Sequence, residues 1–319
     1  MSKGEKLPRV VARRGRACVG EIVSMKRILV VGRNGQVASE LARTLPTLGE
    51  VLCAGRELAD ATQPAKVRAL VQDFRPQLII NASAYTAVDK AESEPEAAQA
   101  LNVDAVALLA ELAKGAGIPL IHYSTDYVFD GGGTAPWRET DATGPQGVYA
   151  RTKLEGEKAI QAAGCAYFIF RTAWVYGHFG ANFYKTMCRL AREREELRVV
   201  GDQLGSPTWS YMIALATSQI VAESLQSPDS EFIRERSGIY HLSAAGSCSW
   251  FDFAKEIVRN DPRASEHKCK TVTCIPSSDY PTPAKRPANS ILSNEKCYET
   301  FGIRLPDWKH QLAMVQGSI

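Results

Sequence analysis

The sequence predicts an α/β protein, a doubly wound parallel sheet of Rossmann type, with a smaller α+β substrate-binding lobe toward the C-terminus. Three observations carry this. Short β-branched and aromatic runs at residues 27–31, 78–81, 119–125 and 165–171 are apolar without alternation, as strands buried on both faces are. Helical stretches separate them, giving a β-α-β-α order. The first run leads straight into Gly32-Arg33-Asn34-Gly35-Gln36-Val37-Ala38, a glycine turn that opens a helix.

Bulk properties narrow the class. The chain has 319 residues, 45% of them hydrophobic and 23% charged, values typical of a globular protein. No apolar run reaches the ~18–20 residues that span a bilayer, so no membrane partner is expected and the location read is cytoplasmic. The net charge of +3 is concentrated at the start: residues 1–24 carry +4, leaving −1 for the rest. A body that is not basic argues against nucleic acid as a partner. The eight cysteines and five histidines form no metal-binding spacing, so free thiols and no metal are expected.

Residues 1–24 are read as a disordered extension or the product of an upstream start codon, with Met25 as the true beginning; a transit peptide is the alternative. Residues 25–172 form the dinucleotide-binding core. Residues 173–319 form mainly the substrate lobe, with some segments returning to the core.

Within the core, the turn at Gly32 and Gly35 lets backbone approach a pyrophosphate, and the helix that follows offers its unpaired N–H groups. Ala38 stands where a third glycine is usual. The second strand, 51–54, ends in Gly55-Arg56, where folds that prefer NAD place an acid. Without that carboxylate a 2′-phosphate is not repelled, and Arg56 or Arg33 is placed to pair with it. NADPH is therefore the expected cofactor, with NADH as the alternative, and Asp60 is expected on the adenine side. A helix over 67–74 and the strand at 78–81 follow, then the small residues 82–86, a charged stretch, and a long helix over 97–114 closed by Gly115. The strand at 119–125 puts Thr125 at its carboxyl end, where open α/β sheets bind ligands.

Beyond it, Gly131-Gly132-Gly133 is read as a mobile loop bordering substrate. Tyr149 and Lys153 are four residues apart on the next helix, hence on one face. An ammonium beside a phenol favours the phenolate and tunes the Tyr for proton transfer. Thr125, Tyr149 and Lys153 are thus the candidate machinery for carbonyl reduction. Further on, Trp174 and Tyr176 are suited to stacking on a sugar or base, with burial in the core an equal alternative for Tyr176. Helices are read at 183–194 and 250–258, a short strand at 198–200, loops at 203–208 and 224–238, and a rigid cationic loop at 277–290 whose Lys285-Arg286 suits a diphosphate.

Five long stretches make the chain similar to a known family: NASAYTAVDKAE from Asn81, STDYVFDG from Ser124, RTAWVYG from Arg171, DQLGSPT from Asp202 and YPTPAKRP from Tyr280. Together they resemble the dTDP-4-dehydrorhamnose reductases, a branch of the extended short-chain dehydrogenase/reductases, across residues 25–317. The resemblance implies catalytic roles for Thr125, Tyr149 and Lys153, with Tyr149 and Lys153 also binding the cofactor, Lys153 at the nicotinamide ribose. It implies pyrophosphate contacts at Gly35, Gln36 and Val37 and other cofactor contacts at Asp60, Ala61, Ala84, Tyr85 and Thr86. Thr125, Asp126 and Trp174 match its sugar contacts. The implied reaction is NADPH-dependent reduction of a nucleotide-sugar C4 ketone. A homodimer is compatible with it. Some members hold magnesium between subunits through glutamates, and Glu40 matches one such position; with no other ligand located, no metal is expected. Gly55 departs from the family's frequent acid.

Two rivals remain at this point. A 4,6-dehydratase would follow its strand-end Thr with Asp-Glu, whereas Tyr127 follows Asp126 here. A non-catalytic regulator like the β subunit of methionine adenosyltransferase also resembles this family, although the intact Thr125, Tyr149 and Lys153 set favours an enzyme. A reductase of a different nucleotide sugar is the nearer alternative.

Overall fold

A computed structural model describes residues 26–226 and 231–317. The expectations for residues 1–24 and Met25 lie outside the described residues. The chain alternates β1 (Arg27–Val31), α1 (Gln36–Thr44), β2 (Glu50–Ala54), α2 (Arg56–Ala59), α3 (Pro64–Phe74) and β3 (Leu78–Asn81). Two short helices, α4 (Val88–Ala91) and α5 (Pro95–Gln99), precede a π-helical turn at Ala100–Asp104 and α6 (Ala105–Ala116). Then come β4 (Leu120–Thr125), α7 (Val148–Ala163) and β5 (Tyr167–Thr172).

The strands are mainly apolar because both faces of the sheet are covered, with polar residues such as Asn81, Ser124 and Thr125 gathered toward their carboxyl ends. Side chains alternate sides along a strand. Ile28 and Val30 of β1 therefore join one core with Leu41 of α1, while Leu29 and Val31 join another with Val67 of α3 and Val106 of α6. All ladders in this sheet are parallel, in the order β10-β5-β4-β3-β1-β2. The chain winds outward from β1 to β2, then crosses back to β3. The crevice at the carboxyl ends of β1 and β3 is a topological switch point, where ligands bind in such sheets.

The second lobe starts with β6 (Val175–Tyr176), α8 (Phe183–Glu193), β7 (Glu196–Val200), β8 (Leu204–Gly205) and β9 (Thr208–Trp209). It is not a contiguous block. α9 (Ser210–Gln226) returns to pack on α1, and β10 (Gly238–His241) extends the main sheet beside β5 after the short α10 (Glu231–Glu235). β11 (Cys248–Ser249), α11 (Trp250–Arg259) and β12 (Thr271–Ile275) follow, with β12 pairing β7 in parallel. α12 (Glu295–Phe301) and α13 (Trp308–Gly317) close the chain.

Two sequence expectations change. Residues 224–238, read as a surface loop, hold the end of α9, α10 and the start of β10; residues 227–230 lie outside the described set. The long helix closes on Gly117, in the left-handed region at φ 68°, rather than on Gly115, and contains the π-helical turn. The Gly131 carbonyl accepts the Asn289 N–H at 3.0 Å, stitching that loop to the C-terminal segment. Of the two readings of Tyr176, the structure takes burial in the core.

Candidate active site

The glycine turn does what its spacing predicts. Gly32 sits at φ 103° with its α-carbon against the Ala82–Ser83 backbone, where a Cβ would come within 3.1 Å. Gly35 caps α1 in extended conformation, and no side chain satisfies the helix's first N–H groups. Above the switch point lies a cleft of about 950 Å³. Gly32, Arg33, Asn34, Gly35, Arg56, Asp60, Ala61, Ala84, Tyr85 and Thr86 all line it. Backbone approach, free helix N–H groups and the Arg33, Arg56 and Lys90 cations fit a dinucleotide phosphate.

Other expected cofactor residues are placed differently. Gln36 donates to the Val175 carbonyl at 3.2 Å and accepts from Asn182 at 3.0 Å, tying α1 to the second lobe. Val37 packs against the core. Neither is among the residues that line the cleft. Asp60 spends one carboxylate oxygen on the Thr62 N–H and hydroxyl, and these bonds hold its pKa down. A carboxylate does stand over Gly55 after all: Glu57, which pairs with Arg33 at 2.8 Å.

At the end of β4, Thr125 donates its hydroxyl to Asp126 at 2.9 Å and accepts the Tyr127 N–H at 3.2 Å. The same hydroxyl faces the Tyr149 phenol closely enough to lower its pKa, although burial dominates and leaves the phenol raised. Asp126 is pushed up to about 6, first by burial. Its Oδ2 is buried without a hydrogen bond, although the Ser290 hydroxyl lies close enough to pull its pKa down in part. Thr125, Asp126 and Tyr149 thus converge as hydroxyl, carboxyl and phenol.

Lys153 does not join them as the i, i+4 spacing alone suggests. Its amine donates to the Tyr123 carbonyl at 2.7 Å and lies 3.1 Å from His122 Nε2, inside the protein. It is not among the charges acting on the Tyr149 phenol. The reason is competition: a backbone carbonyl and an imidazole on β4 outbid the phenol for the amine.

A second cleft, of about 660 Å³, lies between the lobes. Its walls carry Arg189, Arg194, Arg198 and Arg286 together with Tyr127 and Trp250. Trp174 reaches it indirectly, stacked face to face on Trp250 with ring centroids 3.5 Å apart. Gly205 makes that stack possible, since any Cβ there would collide with the Trp174 ring. Arg286 is already paired with Asp89 at 2.6 Å, so an anion would have to share or replace that partner. Tyr127 walls this second cleft and lies edge-on to Tyr149 at 5.7 Å, its own pKa pushed up to about 12 by burial.

A family model described as the RmlD substrate binding domain matches residues 25–317. The chain belongs to this family. It is 46% identical over 297 residues to a dTDP-4-dehydrorhamnose reductase of Burkholderia thailandensis, covering 90% of this chain and 97% of that protein. The Escherichia coli K12 protein of the same name is 45% identical over 287 residues, 88% of this chain and 94% of its own. Among solved structures, the Bacillus anthracis dTDP-4-dehydrorhamnose reductase in complex with NADP superposes with a TM-score of 0.84 at 33% identity, covering 92% of this chain and all of that one.

For this RmlD family member, sequence reasoning missed Tyr127, Trp250 and the α8–β7 arginines as cleft residues, and Glu57 as the carboxylate over Gly55. Trp250 carried a usable signal, because it directly follows Ser249, the residue that caps α11 through a reciprocal bond with Asp252. The arginines carried none, since a surface helix face reads the same. Among the described residues no three His, Cys, Asp or Glu side chains converge as metal ligands, and no helix is long and apolar enough to cross a membrane.

Proposed function

We propose that this protein reduces the C4 ketone of dTDP-4-dehydro-6-deoxy-L-mannose (dTDP-4-dehydro-L-rhamnose) to dTDP-L-rhamnose with NADPH, the final step of dTDP-rhamnose biosynthesis. The observation that carries the reading is the Thr125 hydroxyl at the carboxyl end of β4 facing the Tyr149 phenol of α7, in a molecule that also holds a phosphate-adapted cleft and an aromatic, arginine-rich one. The names of the relatives supply the sugar.

When bound, the reduced nicotinamide supplies the hydride. Gly32, Arg33, Asn34 and Gly35, with the backbone of Gln36 and Val37, hold the pyrophosphate. Arg56 and Arg33 meet the 2′-phosphate. Asp60 and Ala61 wall one part of the cleft, and Ala84, Tyr85 and Thr86 another. Tyr149 protonates the sugar oxygen as negative charge develops on it. A phenol raised by burial is fully protonated at neutral pH, so it enters the step as an acid. Thr125 hydrogen-bonds the same oxygen. Asp126 offers its unpaired Oδ2 to a sugar hydroxyl. Arg286 leaves Asp89 for the substrate diphosphate, and the Trp174–Trp250 stack borders the nucleotide. A homodimer is the assembly to check, by sedimentation.

The test is turnover. Purified protein is given the 4-keto sugar nucleotide, and consumption of NADPH and NADH is followed in parallel. Turnover with preference for NADPH is the expected result. Tight NADPH binding without turnover would sink this substrate assignment.

A further inference from the structure

The helix that carries Tyr149 begins without the usual cap. Its N-cap is Gly147, in extended conformation, and no acid stands in the first turn. Serine, threonine, aspartate or asparagine commonly fills that position, because a side-chain oxygen there satisfies an orphan N–H. The first intrahelical bond runs from the Arg151 N–H to the Gly147 carbonyl at 2.9 Å. The N–H groups of Val148, Tyr149 and Ala150 lie ahead of it, outside the helical ladder. Tyr149 is the second residue of α7, so its phenol is aimed by the least secured part of the helix.

The missing cap comes from another part of the chain. Glu92, 56 residues before Val148, accepts the Val148 N–H on Oε1 at 2.8 Å. A carboxylate there also meets the positive end of the helix dipole. Glycine at 147 keeps the place open, because a Cβ would come within 2.7 Å of that same Oε1. The turn that bears Glu92 is itself tied to both clefts. Glu94 accepts the Tyr85 phenol at 2.6 Å and pairs with Lys90 at 2.9 Å, on the wall of the dinucleotide cleft. Asp89 accepts the Ala284 N–H at 3.2 Å and pairs with Arg286 at 2.6 Å, beside the second cleft.

We propose that Glu92 is a positioning residue for Tyr149: a remote cap that orders the first turn of α7 and so sets the phenol relative to both clefts. Glu92 lines neither large cleft, and its effect passes through the helix start. It walls a small pocket together with Gly147, Tyr149 and Tyr127, which places the cap beside the ring it steadies. A local cap at 147 would order the same turn but would not tie it to residues 85–94. The effect on rate rests on the reaction proposed above; the ordering of the turn does not.

Two readouts on the full chain test this. Amide exchange at Val148, Tyr149 and Ala150 is followed by NMR, and kcat is measured with NADPH and the 4-keto sugar nucleotide. Glu92 is exposed, so its variants keep the core intact. Glu92→Ala is expected to speed exchange in this turn about tenfold. It should lower kcat about tenfold, with NADPH affinity and the KM for the sugar nucleotide held within about twofold. Glu92→Gln keeps an acceptor oxygen and should retain most of both. The decisive variant is Glu92→Ala with Gly147→Ser, which replaces the remote cap by a local one. With the carboxylate gone the serine Cβ has room, and the extended backbone of Gly147 suits it. Exchange protection and kcat should both recover to within about threefold of wild type. A role in general stability alone would lower melting temperature and both affinities together, and a serine at 147 would not restore the rate. Unchanged exchange or unchanged kcat in Glu92→Ala, or a double variant no better than the single one, overturns the proposal. If the wild type does not turn over this sugar, the substrate assignment fails and the exchange data alone decide whether Glu92 orders the turn.

Discussion

The two clefts are made of different materials. The dinucleotide cleft is lined by residues from one stretch of less than a quarter of the chain, from Val31 to Leu101, and largely by backbone and small residues at strand ends. The second cleft draws on Asp89, Tyr127, α8, β7, Trp250 and the 280–286 loop, and its working parts are long side chains already engaged with each other. The first is preorganised by topology, since three parallel strands and one helix start leave it no other shape. The second depends on partner exchange: Arg286 is held by Asp89 before any substrate anion arrives. Thr125 and Tyr149 line neither large cleft, and Tyr149 meets Tyr127, which walls the second; variants at this junction separate chemistry from binding, and variants elsewhere should damage one cleft only.

The junction gives the largest effect. Tyr149→Phe removes the acid but no wall of either large cleft. Its kcat is expected to fall by about 10²–10⁴, with NADPH affinity by fluorescence titration nearly unchanged. A parallel loss of NADPH binding would place Tyr149 in the cofactor site rather than between the two.

Gly32→Val tests the claim that the first cleft is backbone-built. A β-branched residue at φ 103° is strained, and its Cβ meets the Ala82–Ser83 backbone. A weakening of NADPH binding by about 30–100-fold is expected, from a strain of ~2–3 kcal/mol. The substrate cleft should keep its affinity for dTDP, measured by calorimetry. Equal losses on both sides would mean that the clefts are coupled, against the contrast drawn above.

What was legible in the sequence follows the same division. β1, β3 and β4 could be read almost to the residue, because strands buried on both faces need unbroken apolar runs. The dinucleotide residues could be read because backbone geometry demands glycine at fixed spacing. α9 escaped because it is apolar nearly all round, with Ile213, Ala214, Ala216, Ile220 and Val221 all buried, so it shows no amphipathic period. Lys153 was correctly placed on the face of Tyr149, yet the direction of its amine was set by His122 and the Tyr123 carbonyl on another strand. No helical spacing encodes that choice. Glu57 escaped for a related reason: the expected acid is absent from the end of β2, and one two residues later folds back over Gly55.

Asp126 shows the cost of an unfinished site at the junction. Burial raises its pKa to about 6 against an ordinary 3.8. A raised carboxyl stabilises the fold only while protonated. That stability is fully present below about 4 and is lost as pH climbs through about 6, so at pH 7 the ionised group is a burden. Asp126→Asn is therefore expected to be more stable than wild type at pH 7 by about 1–3 kcal/mol in urea unfolding, with the gain fading toward pH 4. Sugar binding should weaken in the same variant. A gain that persists unchanged at pH 4 would point to packing rather than charge.

The smallest effect sharpens the comparison most, because it asks whether even the preformed cleft contains an exchange. Arg33 and Glu57 pair at 2.8 Å with side chains 60% and 53% exposed. Exposed pairs contribute little to stability and are readily broken. Holding Arg33 on Glu57 nonetheless keeps that cation off a 2′-phosphate, and the Glu57 carboxylate over Gly55 is itself positioned to receive a ribose hydroxyl. Glu57→Gln should release Arg33 and withdraw the acid together. The NADPH-to-NADH preference is expected to rise by about two- to fivefold at low salt and less at high salt, with unfolding unchanged. Arg56→Ala should move the ratio the other way. If neither variant shifts the ratio, the discrimination does not reside at the end of β2, and the cleft's backbone rather than its two arginines sets which dinucleotide it takes.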